Sequence, residues 1–100
     1  MQELIDKVQE LVAFELERAN TIRPPKFNSM HEAYAVILEE FEEMTVDAEK
    51  LKSFIGILWN DVKYDREKDV VDWLKLTEER AVHMIAEAIQ VAAMCRKARM

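Results

Sequence analysis

The segment VILEEFEEM, residues 36–44, sets Glu39, Glu40, Glu42 and Glu43 among Val36, Ile37, Leu38, Phe41 and Met44. Carboxylates on a partly buried helix either face water or converge on a cation, because an unpaired charge taken out of water is costly. At 100° per residue, with Ile37 as origin, Phe41 and Met44 fall at about 40° and 340°. Glu39 and Glu42 fall at about 200° and 140°, away from that apolar stripe, and Glu42 reads as solvated. Glu40, at about 300°, lies beside the stripe, and Glu43, at about 240°, adjoins it. Glu40 is therefore the carboxylate with most to gain from a partner.

A second segment, AVHMIAEAIQVAAMC (residues 81–95), is apolar except for His83, Glu87 and Gln90. On the same wheel these three fall within an arc of about 60°. The arc either faces water or lines an internal polar pocket, where Glu87 and Gln90, one turn apart, would hold a cation or ligand. With apolar residues around the remaining circumference, this helix is expected to be buried on most sides.

Three elements would position these groups. Residues 2–19 carry Leu4, Ile5, Val8, Leu11, Val12 and Ala19 at helical spacing, and NTIRPPKFN ends that helix because two prolines cannot continue it. Ser29 followed by Glu32 fits a capping box and starts a second helix near Met30. Ile37, Phe41, Met44, Ala48, Leu51, Ile55, Leu58 and Val62 form a stripe in steps of four and three, so residues 30–64 are expected as one helix or two nearly collinear ones. After a polar turn, YDREKD, a third helix repeats the pattern with Val70, Leu74, Thr77, Ala81, Met84, Ala88, Val91 and Cys95. In an antiparallel hairpin, residues at one height have position numbers of nearly constant sum. Glu43 with Glu87 and Glu40 with Gln90 both sum to 130, which centres the turn at residue 65. Three carboxylates and an amide then lie level, and a hard, oxygen-seeking ion, Mg²⁺ foremost, resolves their repulsion.

Composition sets the frame. One Gly, two prolines and an abundance of good helix formers in 100 residues indicate a single all-α domain over residues 1–100. The fold class expected is a short N-terminal helix plus a long antiparallel helical hairpin, completing a helical bundle by oligomerisation. A hairpin arm of 35 residues spans about 52 Å, and one short helix cannot cover both long apolar faces. A net charge of −6 argues against a nucleic-acid polymer as partner, and the basic residues Arg96, Lys97 and Arg99 suit the C-terminal end of a helix dipole. Cys95, in an apolar run, is expected to be a buried free thiol. Charged residues within Met1–Glu10 and the lack of a long apolar run predict neither leader nor membrane span, hence a cytoplasmic setting.

HEAYAVILEEFEEM together with EAIQVAAM resembles the MazG-like all-α nucleoside triphosphate pyrophosphohydrolases, notably their short phage and prokaryotic type. That family carries E-E-x-x-E on one helix and E-x-x-D on an antiparallel neighbour. Glu39, Glu40 and Glu43 match the first motif and Glu87 the start of the second, but Gln90 stands where the aspartate belongs. The separation between the motifs is longer than the family's usual one, which a longer hairpin accommodates without parting them in space. The resemblance implies Mg²⁺-dependent hydrolysis of a nucleoside triphosphate to monophosphate and pyrophosphate by a homodimer or homotetramer. Glu39, Glu40, Glu43 and Glu87 would be catalytic, with Mg²⁺ held by Glu40, Glu43, Glu87 and, more weakly, Gln90. Glu39 would complete a second metal position or orient the attacking water. His31 and Tyr34, near the first motif, and His83, one turn before Glu87, are the candidates for substrate contacts, with Phe27 as a further base wall. The alternative is a non-catalytic helical oligomer that binds a nucleotide or a protein partner, its carboxylates paired with Arg or Lys. A di-iron carboxylate bundle is disfavoured because no Glu-x-x-His pair occurs.

Overall fold

A computed structural model of residues 1–100 shows three helices, α1 (Gln2–Ile22), α2 (Met30–Lys63) and α3 (Glu67–Ala98). α1 stops at Arg23, whose extended backbone (φ −134°, ψ 156°) is the conformation that a following proline imposes. At the start of α2 the Ser29 hydroxyl accepts from the Glu32 N–H at 3.1 Å. The reciprocal half of the capping box is redirected, because the Glu32 carboxylate accepts from the Asn28 side-chain amide at 2.8 Å. α2 then runs as one unbroken helix of 34 residues. The turn is Tyr64–Arg66, with Asp65 at φ 55°, and Arg66 reaches back to Asp61 at 3.2 Å to close it.

α2 and α3 pack along their length as an antiparallel pair, while α1 lies against α3. The α2 side of the seam is Ala33, Ile37, Glu40, Met44, Asp47, Leu51, Phe54, Leu58 and Asp61, in alternating steps of four and three, and every one is shielded from solvent. On α3 the shielded series is Val70, Trp73, Thr77, Arg80, Met84, Glu87, Val91, Met94 and Ala98. This is the seven-residue spacing of a coiled-coil seam.

The seam corrects the stripes expected from apolarity. Every second position is shared, but Phe41, Ala48, Ile55 and Val62 give way to Glu40, Asp47, Phe54 and Asp61. On α3, Leu74, Ala81, Ala88 and Cys95 give way to Trp73, Arg80, Glu87 and Met94. Phe41, Ile55, Val62 and Leu74 are accordingly 44–52% exposed. Cys95 is exposed, not buried, for the same reason: it sits one residue past the seam position Met94. Stepping one residue past the seam turns both arms of an antiparallel hairpin toward the same side, so these residues form one apolar face that α1 does not cover. Nor is α3 buried on most sides between residues 81 and 95, since Val82 and Ile85 are exposed.

The buried core is small: Val12, Leu16 and Ala19 of α1 against Ala93 and Met94 of α3, flanked by Val36, Ile37 and Phe27. The basic C-terminus of α3 fastens this end. Lys97 is buried, donates to the Pro24 carbonyl at 2.7 Å and lies over the Phe27 ring, while Arg96 donates to Gln9. Near the turn, Phe54 and Trp73 pack with ring centroids 5.2 Å apart, and Trp59 is exposed. The radius of gyration is 17.2 Å, against about 13 Å for a compact chain of this length. No helix is long and apolar enough to cross a membrane.

Candidate metal centre

The polar seam positions bring two groups of potential ligands together. Oxygens of Glu40, Glu43 and Glu87 lie within 4.8 Å of one another, and a second set, from Asp47, His83 and Glu87, meets the same limit. Glu40 and Glu43 are one turn apart on α2, and Glu87 reaches them from α3 at the height that the hairpin sum requires. Glu87 and Gln90 of that arc thus face α2 and α1, whereas His83, its side chain 58% exposed, lies open to water at the edge of the seam. Glu87 is 14% exposed at its side chain, and Gln90 is half-buried beside Glu40.

The two groups differ in how they are satisfied. Asp47, 3% exposed, has a partner for each oxygen: Arg80 Nη1 donates to Oδ1 at 3.0 Å, and His83 Nδ1 lies 2.5 Å from Oδ2. The His83 hydrogen bond, with help from Arg80, holds the Asp47 carboxyl below its ordinary range despite burial. An ionised carboxylate only accepts, so the shared proton resides on His83 Nδ1. A metal there would have to replace the proton between His83 Nδ1 and Asp47 Oδ2. The Glu40–Glu43–Glu87 group has no hydrogen-bonded cation, His83 only approaching Glu87 at 3.7 Å. Glu40 Oε2 and Glu87 Oε2 are buried without a hydrogen-bond partner. Burial, and then the charges of Glu43 and Glu87, raise the Glu40 carboxyl. Burial raises Glu87 as well, followed by the close charge of Glu43. An all-oxygen set with two orphaned buried oxygens fits a hard divalent cation.

Among the other residues singled out from the sequence, Glu39 and Glu42 are exposed. Glu39 stands outside the cluster, though its charge contributes to the rise at Glu40. His31 and Tyr34 are exposed on the first turns of α2 and join neither the carboxylate group nor the pocket at Glu40 and Gln90. His83 approaches Glu87 at 3.7 Å while bonded to Asp47. Asp47 and Arg80 are the residues that sequence reasoning missed. Asp47 and His83 also sum to 130, and Asp47 falls at about 280° on the wheel, between Glu43 and Glu40, so the same two tests would have found it. Comparison with family models, curated proteins and solved structures gives no match. The functional reading therefore stands on this geometry and on the motif resemblance.

The opposed pKa shifts give a pH signature. Glu40 and Glu87 are raised above 4.5, so between that value and their folded values the folded chain holds more protons than the unfolded one. Their contribution to stability is full below 4.5 and is lost as pH rises through the folded values. Asp47 is lowered below 3.8, so its contribution is present above 3.8 and is lost as pH falls through its folded value. Thermal melts in metal-free buffer are expected to peak in mildly acidic solution and decline on either side. Mg²⁺ is expected to suppress the decline on the alkaline side.

Proposed function

We propose that this chain is an Mg²⁺-dependent nucleoside triphosphate pyrophosphohydrolase of the MazG-like kind, acting in an intracellular setting as a homodimer or homotetramer. The observation that carries the reading is the convergence of Glu40, Glu43 and Glu87, in which one buried oxygen of Glu40 and one of Glu87 have no hydrogen-bond partner. Glu40, Glu43 and Glu87 would hold the ion, and the Gln90 carbonyl would add a neutral ligand. Mg²⁺ bound there would neutralise phosphate charge and make a water molecule more acidic. Glu39, exposed and outside the cluster, would orient that water and accept its proton. His83, its Nδ1–H held by Asp47, would donate from Nε2 to a phosphate oxygen when the ring is doubly protonated, and His31 and Tyr34 would meet substrate only beyond the carboxylates. The uncovered face with Phe41, Ile55, Val62 and Leu74 supports self-association, since so small a core leaves a single chain marginal.

The second reading is a non-catalytic helical oligomer that binds a nucleotide or a protein partner. Asp47–Arg80 and Asp61–Arg66 favour it, because in both cases the seam neutralises a carboxylate with a guanidinium and not a metal. One experiment separates the two. The purified chain, its mass fixed by light scattering, is offered a panel of ordinary and modified NTPs with Mg²⁺, and pyrophosphate release is followed. The hydrolase reading expects release from at least one NTP, abolished by EDTA, and a dimeric or tetrameric mass. No release, with no metal-dependent thermal shift, would leave the non-catalytic reading.

A further inference from the structure

We propose that Arg18 and Arg23, at the C-terminal end of α1, form the phosphate-binding wall of the carboxylate centre and take the pyrophosphate portion of a metal-complexed substrate. The inference rests on reading the cluster as the metal centre for a triphosphate. A pocket of about 120 Å³ opens between α1 and the hairpin, lined by Glu15, Arg18, Arg23, Glu40, Gln90 and Met94. It joins two guanidinium groups to the Glu40 and Gln90 end of the cluster. Pockets for drug-sized ligands begin at about 300 Å³, so this one suits a diphosphate and leaves sugar and base outside.

The chemistry requires something of this kind. A centre built only of carboxylates repels a polyphosphate, and a single divalent ion does not offset several phosphate charges. Fixed cations must therefore lie beside the metal, where arginine's planar fork matches phosphate oxygens. Three cations of α3 are engaged elsewhere. Arg80 is bound to Asp47, Arg96 to Gln9, and Lys97 to the Pro24 carbonyl. Arg23 has no ion pair or side-chain hydrogen bond within the protein, yet its charge acts on Glu40. Arg18 is gripped by both oxygens of Glu15, at 2.6 and 2.8 Å, which fixes the plane of its guanidinium and leaves Nη1 unengaged. Pro24 and Pro25 restrain the chain after Arg23, so that its side chain leaves the helix end at a fixed place.

The test separates metal from phosphate. Mn²⁺ binding is measured by electron paramagnetic resonance, and pyrophosphate binding in Mg²⁺ by calorimetry, for the full chain and for Arg18→Gln, Arg23→Gln and Arg23→Lys. Far-ultraviolet circular dichroism checks that α1 is retained. Each glutamine variant is expected to bind Mg²⁺–pyrophosphate about tenfold more weakly, with Mn²⁺ affinity held within about twofold and partial recovery in Arg23→Lys. Equal pyrophosphate affinity in all four proteins, or none in the unaltered chain, overturns the proposal. Arginine-dependent pyrophosphate binding without NTP turnover upholds it while removing the hydrolase reading. Turnover with arginine-independent pyrophosphate binding does the reverse.

Discussion

Glu40→Gln is expected to lower NTP hydrolysis at least about 100-fold and, in the same protein, to raise the melting temperature in metal-free buffer at alkaline pH. The two effects have one cause. Glu40 has a buried, unpartnered oxygen and lies beside Glu43 and Glu87, and burial first, then the charges of those two carboxylates, raises its pKa. Glutamine keeps the shape of the side chain and removes the charge. The metal loses a ligand, and the apo-protein loses a repulsion. A residue that served folding alone would move stability downward on truncation, and one on a solvated face would move neither quantity. Glu42→Gln, at an exposed position on the far side of α2, supplies that control and should leave both within about twofold. Gln90→Asp should act in the opposite sense, tightening metal binding by adding a charged oxygen and lowering apo stability by adding a further carboxylate. If Glu40→Gln keeps full activity and an unchanged Mg²⁺-dependent thermal shift, the cluster is not the metal centre.

Much of this site was legible because two local rules held over a long distance. The hairpin sum placed Glu43 beside Glu87 and Glu40 beside Gln90 from numbering alone, and α2 and α3 are straight enough to preserve that register. Helix ends were legible for similar reasons, as Ser29, Pro24 and Pro25 each act within a few residues. Apolarity alone misplaces the seam, because in this hairpin it does not track burial. Phe41, Ile55 and Val62 outrank Glu40, Asp47 and Asp61 on any hydrophobic scale, yet the chain turns the acidic positions inward. Pairing that apolarity does not register accompanies this: Arg80 on α3 answers Asp47 on α2, and Arg66, five residues on, answers Asp61 at the turn. The same rotation accounts for Cys95, whose neighbour Met94 takes the buried place. A seam that gives up apolar contacts for polar ones departs from the consistency expected of a purely structural hairpin, and such departures gather at functional sites.

Asp47 tests whether that polar layer shapes the fold, the site or both. Asp47→Leu is expected to lower the melting temperature by roughly 10 °C or more, because Arg80 is left on the seam with no counter-charge and its Nε already lacks a partner. Adding Arg80→Leu should recover most of the loss. Positions 47 and 80 then become apolar at neighbouring levels of the seam, and replacing both members of a buried pair is far milder than removing one. The paired variant separates stability from function. His83 loses the carboxylate that fixes its ring, although it can still approach Glu87. If Asp47 positions His83 for the phosphates, Asp47→Leu/Arg80→Leu should melt near the original temperature but hydrolyse NTP about tenfold more slowly, mostly through KM. A shift below about 2 °C in Asp47→Leu would mean that the Arg80 pair does not hold the hairpin in register. Full activity in the stable double variant would confine Asp47 to folding and leave Glu40, Glu43 and Glu87 as the whole of the centre.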